Sequence, residues 1–232
     1  MKFYVVIPAR YDSTRFPGKV LANINNITML ERVFNNAKES SATEVFIATD
    51  SDKVFKSAKK YTRNVFMTSN ENVNGTERVA ELANILKWKA DTLVINLQAD
   101  MPELQHDNIN LLAEKSINND GLSTLYYDLD NPKLKMNKNT VKICINEENI
   151  NFCRTVEDNI SDKIYKHIGI YGYYVKDLIS YKLLPRSENE KDLSLEQFRF
   201  VDNGYNISAY YAVSDPGISV DSSDNLSEIR KV

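Results

Sequence analysis

Apolar and polar positions fall into alternating blocks along the first half of the chain. Phe3–Ile7, Glu44–Thr49, Asn64–Met67 and Thr92–Leu97 are short apolar-rich runs, and each predicts a buried strand. Between them, Thr28–Ser40, Ser51–Tyr61, Thr76–Trp88 and Gln105–Asn118 carry the longer spacing of amphipathic helices. Strand and helix in regular alternation predict an α/β fold with a mainly parallel sheet. The second half changes character. Leu122–Tyr127, Val141–Ile145 and Ile150–Phe152 read as strands, with Asn146–Asn149 as a turn and DLDNPKLKMNKN as an exposed loop. Lys166–Val175 is a tyrosine-rich strand, Leu193–Asn203 a helix stopped by Gly204, and Asn206–Val213 another strand. Asp221–Val232 predicts a closing helix capped by Ser222 or Ser223.

The polar clusters fall where such a sheet binds ligands, beyond the carboxyl ends of its strands. PARYDSTR follows the first strand, Thr49-Asp50 the second, and Gln98-Ala99-Asp100 the fourth. The first cluster places Arg10, Arg15 and Lys19 within ten residues. Pro8, Pro17 and Gly18 can hold that loop in one shape. Oriented cations and backbone N–H groups suit a polyanion such as a nucleoside triphosphate. The plain alternative is a basic surface loop.

Composition narrows the classes. The chain has 232 residues, 42% hydrophobic and 26% charged, as expected of one globular domain with a sizeable core. A net charge of −3 argues against nucleic-acid binding as the main task. No apolar run approaches the roughly 18 residues of a membrane span, and no signal core survives Pro8 and Arg10, so the expectation is a cytoplasmic protein with no membrane partner. Two cysteines, Cys144 and Cys153, lack metal-ligand spacing, and a count of two histidines argues against a histidine-rich zinc site.

Two carboxylates stand out beside the cationic loop. Asp100 ends an apolar strand in VINLQADMP, and Asp221 follows a short apolar segment in GISVDSSDNL. Carboxylates from distant segments that converge on a triphosphate provide what Mg²⁺ takes, with phosphate and water completing its shell. A turn aspartate and a helix cap are the ordinary alternatives. Asn74-Gly75 marks a tight turn, and Arg78 lies in the first turn of the helix that follows, poor dipole chemistry unless it serves an anion or a base. In KHIGIYGYYV, strand alternation puts His167, Gly169, Tyr171 and Tyr173 on one face. That face suits a sugar or hydroxy-acid pocket, or else a core strand with satisfied hydroxyls. Glu196 and Gln197 are polar residues set among apolar ones. No Walker A motif or nucleophile elbow is present.

IPARYDSTRFPGK, FIATD, NGTERVAE, VINLQADMP, KHIGIYGY, LEQFR and VDSSDNL, in this order, resemble the CMP-KDO synthetases, the 3-deoxy-manno-octulosonate (KDO) cytidylyltransferases. The resemblance spans nearly the whole chain. It implies a Rossmann-like nucleotidyltransferase fold: a mainly parallel sheet flanked by helices, in one domain over 1–232. It also implies a β-rich dimerisation subdomain inserted at about 126–175, a homodimer and Mg²⁺ dependence. The implied reaction moves CMP from CTP to the anomeric hydroxyl of KDO for lipopolysaccharide synthesis. Carried over, Arg10, Lys19, Asp100 and Asp221 are the implied catalytic residues, with the two aspartates on the metal. Pro8, Ala9, Ser13, Asn74, Gly75 and Arg78 join Arg10, Lys19 and Asp100 around the nucleotide. Gln98, Arg154, His167, Tyr171, Glu196 and Gln197 are the implied sugar contacts. The chain departs from the pattern at Ala99 and Met101, where the family usually has Gly and Glu, and at Asn74, usually Ser. After Phe152-Cys153-Arg154 the stretch to KHIGIYGY is shortened. Two alternatives stay open at this point: a related acid sugar such as an 8-amino analogue of KDO or a nonulosonic acid, and a nucleotide-binding protein without catalysis.

Overall fold

The computed structural model describes residues 2–12, 16–117, 119–146, 150–156 and 163–230. The first half follows the expected alternation. β1 (Phe3–Ala9) leads through a 3₁₀ turn (Lys19–Leu21) and a small ribbon, β2 (Asn23–Ile24) and β3 (Ile27–Thr28), into α1 (Met29–Lys38). Then come β4 (Glu44–Thr49), α2 (Asp52–Ala58), β5 (Val65–Met67), α3 (Gly75–Ile85), β6 (Leu93–Asn96) and α4 (His106–Ser116). Helix starts are written locally. The Thr28 hydroxyl accepts from the Glu31 amide, and the Asn74 side chain accepts from the Glu77 amide. Each satisfies a donor that the first helical turn leaves open.

β1 lies between β4 and β6, parallel to both, with Val5 opposite Val45 on one side and Ile95 on the other. The chain moves outward from β1 through β4 to β5, then returns to place β6 on the far side of β1. Strand order therefore reverses between β1 and β6, and a crevice opens at their carboxyl ends. The period of two sorts the core. Phe3, Val5 and Ile7 pack on the face covered by α1 and α4, whereas Val6 packs on the face covered by α3.

The second half comprises β7 (Leu122–Tyr127), α5 (Pro132–Met136), β8 (Lys142–Ile145), β9 (Ile150–Cys153), β10 (Lys163–Tyr174), α6 (Val175–Leu183), α7 (Glu188–Leu193), α8 (Phe198–Val201), β11 (Ile207–Tyr211) and α9 (Ser223–Ile229). β10 is the exceptional element. Its second half runs antiparallel between β6 and β7, with Tyr171 opposite Asn96, while Lys163–Lys166 pair with β8, which branches from the main strand path of the same sheet. β9 completes a hairpin on β8, and β11 adds to β7 in parallel. The main path runs β11-β7-β10-β6-β1-β4-β5, and four of its six pairings are parallel. Leu226 and Ile229 of α9 join the α1 face, and Leu178 of α6 and Phe200 of α8 the α3 face.

Three expectations for this half are corrected. The polar stretch before β8 is not all loop, because Pro132 opens α5 and the Asn131 side chain caps it. Val175 does not end the tyrosine-rich strand but begins α6. Of the helix expected over Leu193–Asn203 only Phe198–Val201 (α8) is helical beyond Leu193, which closes α7 before Ser194 adopts the left-handed conformation (φ 51°). Gly204 does end α8, at φ +80°, and Ser222 caps α9. Most of the turn expected at Asn146–Asn149 lies outside the described residues. Among the described residues no helix is long and apolar enough to cross a membrane.

Candidate active site

The end of β1 delivers Pro8 and, just beyond it, Arg10 to the crevice, whereas Ala9 between them packs into the core; the segment after β6 delivers Gln98, Ala99 and Asp100 opposite them. A cavity of about 250 Å³ between them is lined also by Lys19, Gly75 and Arg78. Gly18 turns the loop back with φ +73°, and its amide donates to Tyr11 O at 2.7 Å. Gly75 lets α3 approach β1: a Cβ there would sit 3.2 Å from Pro8 Cγ. The backbone bond from Val220 N to Asp100 O (2.9 Å) brings the Asp221 segment to the end of β6. Lys19 Nζ then donates to Asp100 Oδ2 at 2.6 Å and to Val220 O at 3.0 Å, and lies 3.7 Å from Asp221 Oδ1. Residues distant in sequence meet as one cation between two carboxylates.

Arg10 donates to the Asn72 carbonyl. Arg78 is fully buried, its guanidinium 2.6 Å from both Asp50 Oδ2 and Thr68 Oγ1. Burial lowers its pKa, and Asp50 opposes that shift. Its Nε has no partner among the described residues. Arg78 thus ties the end of β4 to α3 while lining the cavity, and Asp50 is its counter-ion. Ser13, assigned to the nucleotide by resemblance, lies outside the described residues, as does Arg15.

On the other side of Gln98 and Asp100, a cavity of about 610 Å³ runs along β10 past Lys166, His167, Gly169 and Tyr171. A third, of about 410 Å³, shares Gln98, Asp100 and Tyr171 and reaches Arg154, Arg186 and Glu196. Several groups on this side are bonded to one another. Glu196 accepts from the Thr76 amide at 3.0 Å and from Gln98 Nε2 at 3.2 Å, and burial raises its pKa. The Tyr171 hydroxyl donates to Gln197 Oε1 at 3.0 Å. Gln197 sits behind Tyr171 and lines none of these three cavities. Burial pushes the His167 pKa down to about 3, so the ring is neutral. Arg154 borders the third cavity but donates to the carbonyls of Leu193, Ser194 and Lys138, which ties the end of β9 to the end of α7. Beneath this wall, Arg199 bridges Glu190 (2.6 Å) and Glu77 (2.8 Å).

Several lining residues escaped the sequence reading. Lys166, beside His167, donates to Gly217 O at 2.6 Å, and burial lowers its pKa. Its place within KHIGIYGY was the available signal. Arg186 and Glu190 carried none, because they lie in a polar run.

Among the described residues no three or more His, Cys, Asp or Glu side chains group into a metal cage. Asp100 and Asp221 do share a cation, the Lys19 ammonium, so their placement fits a divalent ion that takes its other ligands from phosphate and water.

A cytidylyltransferase family model matches residues 4–207. The chain is 34% identical to the 3-deoxy-manno-octulosonate cytidylyltransferase of Polynucleobacter asymbioticus, over 99% of this chain and 95% of that one. It belongs to the 3-deoxy-manno-octulosonate cytidylyltransferase family. The family relative from Fusobacterium nucleatum is 36% identical over 99% of this chain and 96% of its own length. The solved structure of a CMP:2-keto-3-deoxy-manno-octonic acid synthetase complexed with CTP aligns with a TM-score of 0.87 at 32% identity, covering 100% of this chain and 98% of that one.

Proposed function

We propose that this protein moves CMP from CTP to the anomeric hydroxyl of KDO and releases pyrophosphate, for lipopolysaccharide synthesis. The observation that carries the reading is the meeting of Lys19, Asp100 and Asp221 between the cavity at β1 and the cavity along β10. The triphosphate takes the charged side, against Arg10 and Lys19, which offset charge on the leaving pyrophosphate. Pro8, Ala9, Asn74, Gly75 and Arg78 shape the rest of the nucleotide pocket. The acid sugar takes the wall of β10, against Gln98, His167, Tyr171 and Glu196, with Arg154 at its edge and Gln197 holding Tyr171. Asp100 and Asp221 would hold Mg²⁺, whose contribution when bound is to lower the pKa of the attacking hydroxyl and offset charge at the α-phosphate. The anomeric oxygen forms its bond to the α-phosphorus as the bond to the bridging oxygen breaks. Alignment across the two cavities supplies the in-line geometry, and no covalent enzyme intermediate is required.

The reading includes a cytoplasmic homodimer joined through the inserted segment at about 126–175, where α5 exposes Met136 at 82%. Sedimentation of the full chain measures the assembly. Pyrophosphate release measures the activity: it should require CTP, KDO and Mg²⁺ together. Release with a different acid sugar and none with KDO would overturn the assignment.

A further inference from the structure

The imidazole on the β10 wall has its hydrogen-bonding direction set from behind. Thr124 of β7 is fully buried. Its Oγ1 lies 2.9 Å from His167 Nε2, 3.1 Å from Ile168 O and 2.9 Å from Ile170 O. Both carbonyls reach it because the β7–β10 register shifts between Ile168 and Tyr171. A threonine hydroxyl has one proton, and a carbonyl oxygen can only accept. If that proton pointed at Nε2, the hydroxyl lone pairs would face two carbonyl oxygens at hydrogen-bonding distance with no proton between. In a buried site that arrangement is costly. Donation to a carbonyl leaves a lone pair for Nε2, and Nε2 then carries the ring proton.

The ring is neutral, so the second nitrogen, Nδ1, holds a lone pair. With Nε2 engaged by Thr124, Nδ1 is the nitrogen available to the cavity that His167 lines. The rings of Phe152 and Tyr171 pack against the imidazole at centroid distances of 4.9 and 5.8 Å and hold its plane.

We propose that Thr124 is a positioning residue that fixes His167 as the Nε2–H tautomer, so that Nδ1 accepts a hydrogen bond from a hydroxyl of the acceptor sugar. Only the identity of the ligand rests on the acid-sugar reading; the tautomer does not. The wall then takes a donor at this point and rejects a carbonyl or an ether oxygen, because a lone pair facing a lone pair leaves both unpaired.

The chain has two histidines, so ¹⁵N-histidine spectra of the full protein are assigned with one variant, His106→Gln. At pH 7 without ligand, His167 should show a protonated Nε2 and an unprotonated Nδ1. Thr124→Val keeps the shape and removes the hydroxyl. It should mix the tautomers and raise KM for KDO about tenfold, with KM for CTP within about twofold, a loss on the scale of one pocket hydrogen bond. Thr124→Ser should restore both readouts. A protonated Nδ1 in the wild type overturns the proposal. So does a Thr124→Val variant that keeps the tautomer, or one that raises both KM values in parallel. A protein that does not turn over KDO, with Nε2 protonated in the wild type and the tautomers mixed in Thr124→Val, refutes the KDO reading and upholds the assignment of Thr124.

Discussion

The two sides of the crevice are built on opposite terms. The β1 side gathers charges from loops at the ends of parallel strands and pairs them with each other, as Lys19 with Asp100 and Arg78 with Asp50, each at 2.6 Å. The β10 side sets neutral buried pairs along an antiparallel strand, as Thr124 with His167 and Tyr171 with Gln197. A partly exposed ion pair can exchange partners when a polyanion arrives, because water and the ligand both compensate the charge. A buried hydrogen bond has no such reserve, so its geometry must be correct before the ligand enters.

The contrast can be broken in three places. The largest effect should come from beneath the β10 side. Arg199→Ala leaves Glu77 and Glu190 without their shared cation and should cost about 3–5 kcal/mol of folding stability. Urea unfolding measures it, and a loss under about 1 kcal/mol would mean that this wall does not depend on the buried ions. Next, Asp100→Asn should lower turnover at least ~100-fold with little change in Tm, since it removes one electrostatic stabiliser at the charged side. Near-normal turnover would remove Asp100 from the reaction. The smallest effect is the pH response of His167. Between pH 6.5 and about 3 the unfolded imidazole holds a proton that the folded one refuses, so the unfolded state binds more protons. Its contribution is therefore fully present above pH 6.5 and is lost on acidification by about 1.4 kcal/mol per pH unit at most. His167→Gln should flatten that slope in urea unfolding at pH 7 and pH 5, and an unchanged slope would place a charged, solvated ring at this wall.

The same division governs what could be read from the sequence. In the parallel half the eight expected elements match the observed ones to within three residues at each end. Its strands are apolar on both faces, and caps such as Thr28 and Asn74 mark helix starts. The other half hid its boundaries. Val175, Leu178 and Tyr181 continue the apolar and aromatic run of β10, so the change of period into α6 leaves no break in hydrophobicity. The interruption between α7 and α8 turns on Ser194 in a conformation that usually calls for glycine. The site divides likewise. Arg10, Lys19 and Asp100 were legible because strand ends in such sheets face the ligand, and Asp221 because it repeats their chemistry. The pairing of Asp50 with Arg78 was not, since nothing local relates the end of β4 to α3. Thr124 was invisible, because a threonine in a strand is ordinary β-branched filling. Only the shifted register beside it gives its hydroxyl a task.

β10 has twelve residues and is roughly 40 Å long. One end carries the hairpin of β8 and β9, the middle carries His167 and Tyr171, and the far end is clamped between β6 and β7. It is one continuous strand from the hairpin to the clamp. His167 lies on the hairpin's side of the shifted register at Ile168–Tyr171, the point where the strand can bend. Whatever leans on the outer hairpin therefore leans on the imidazole as well.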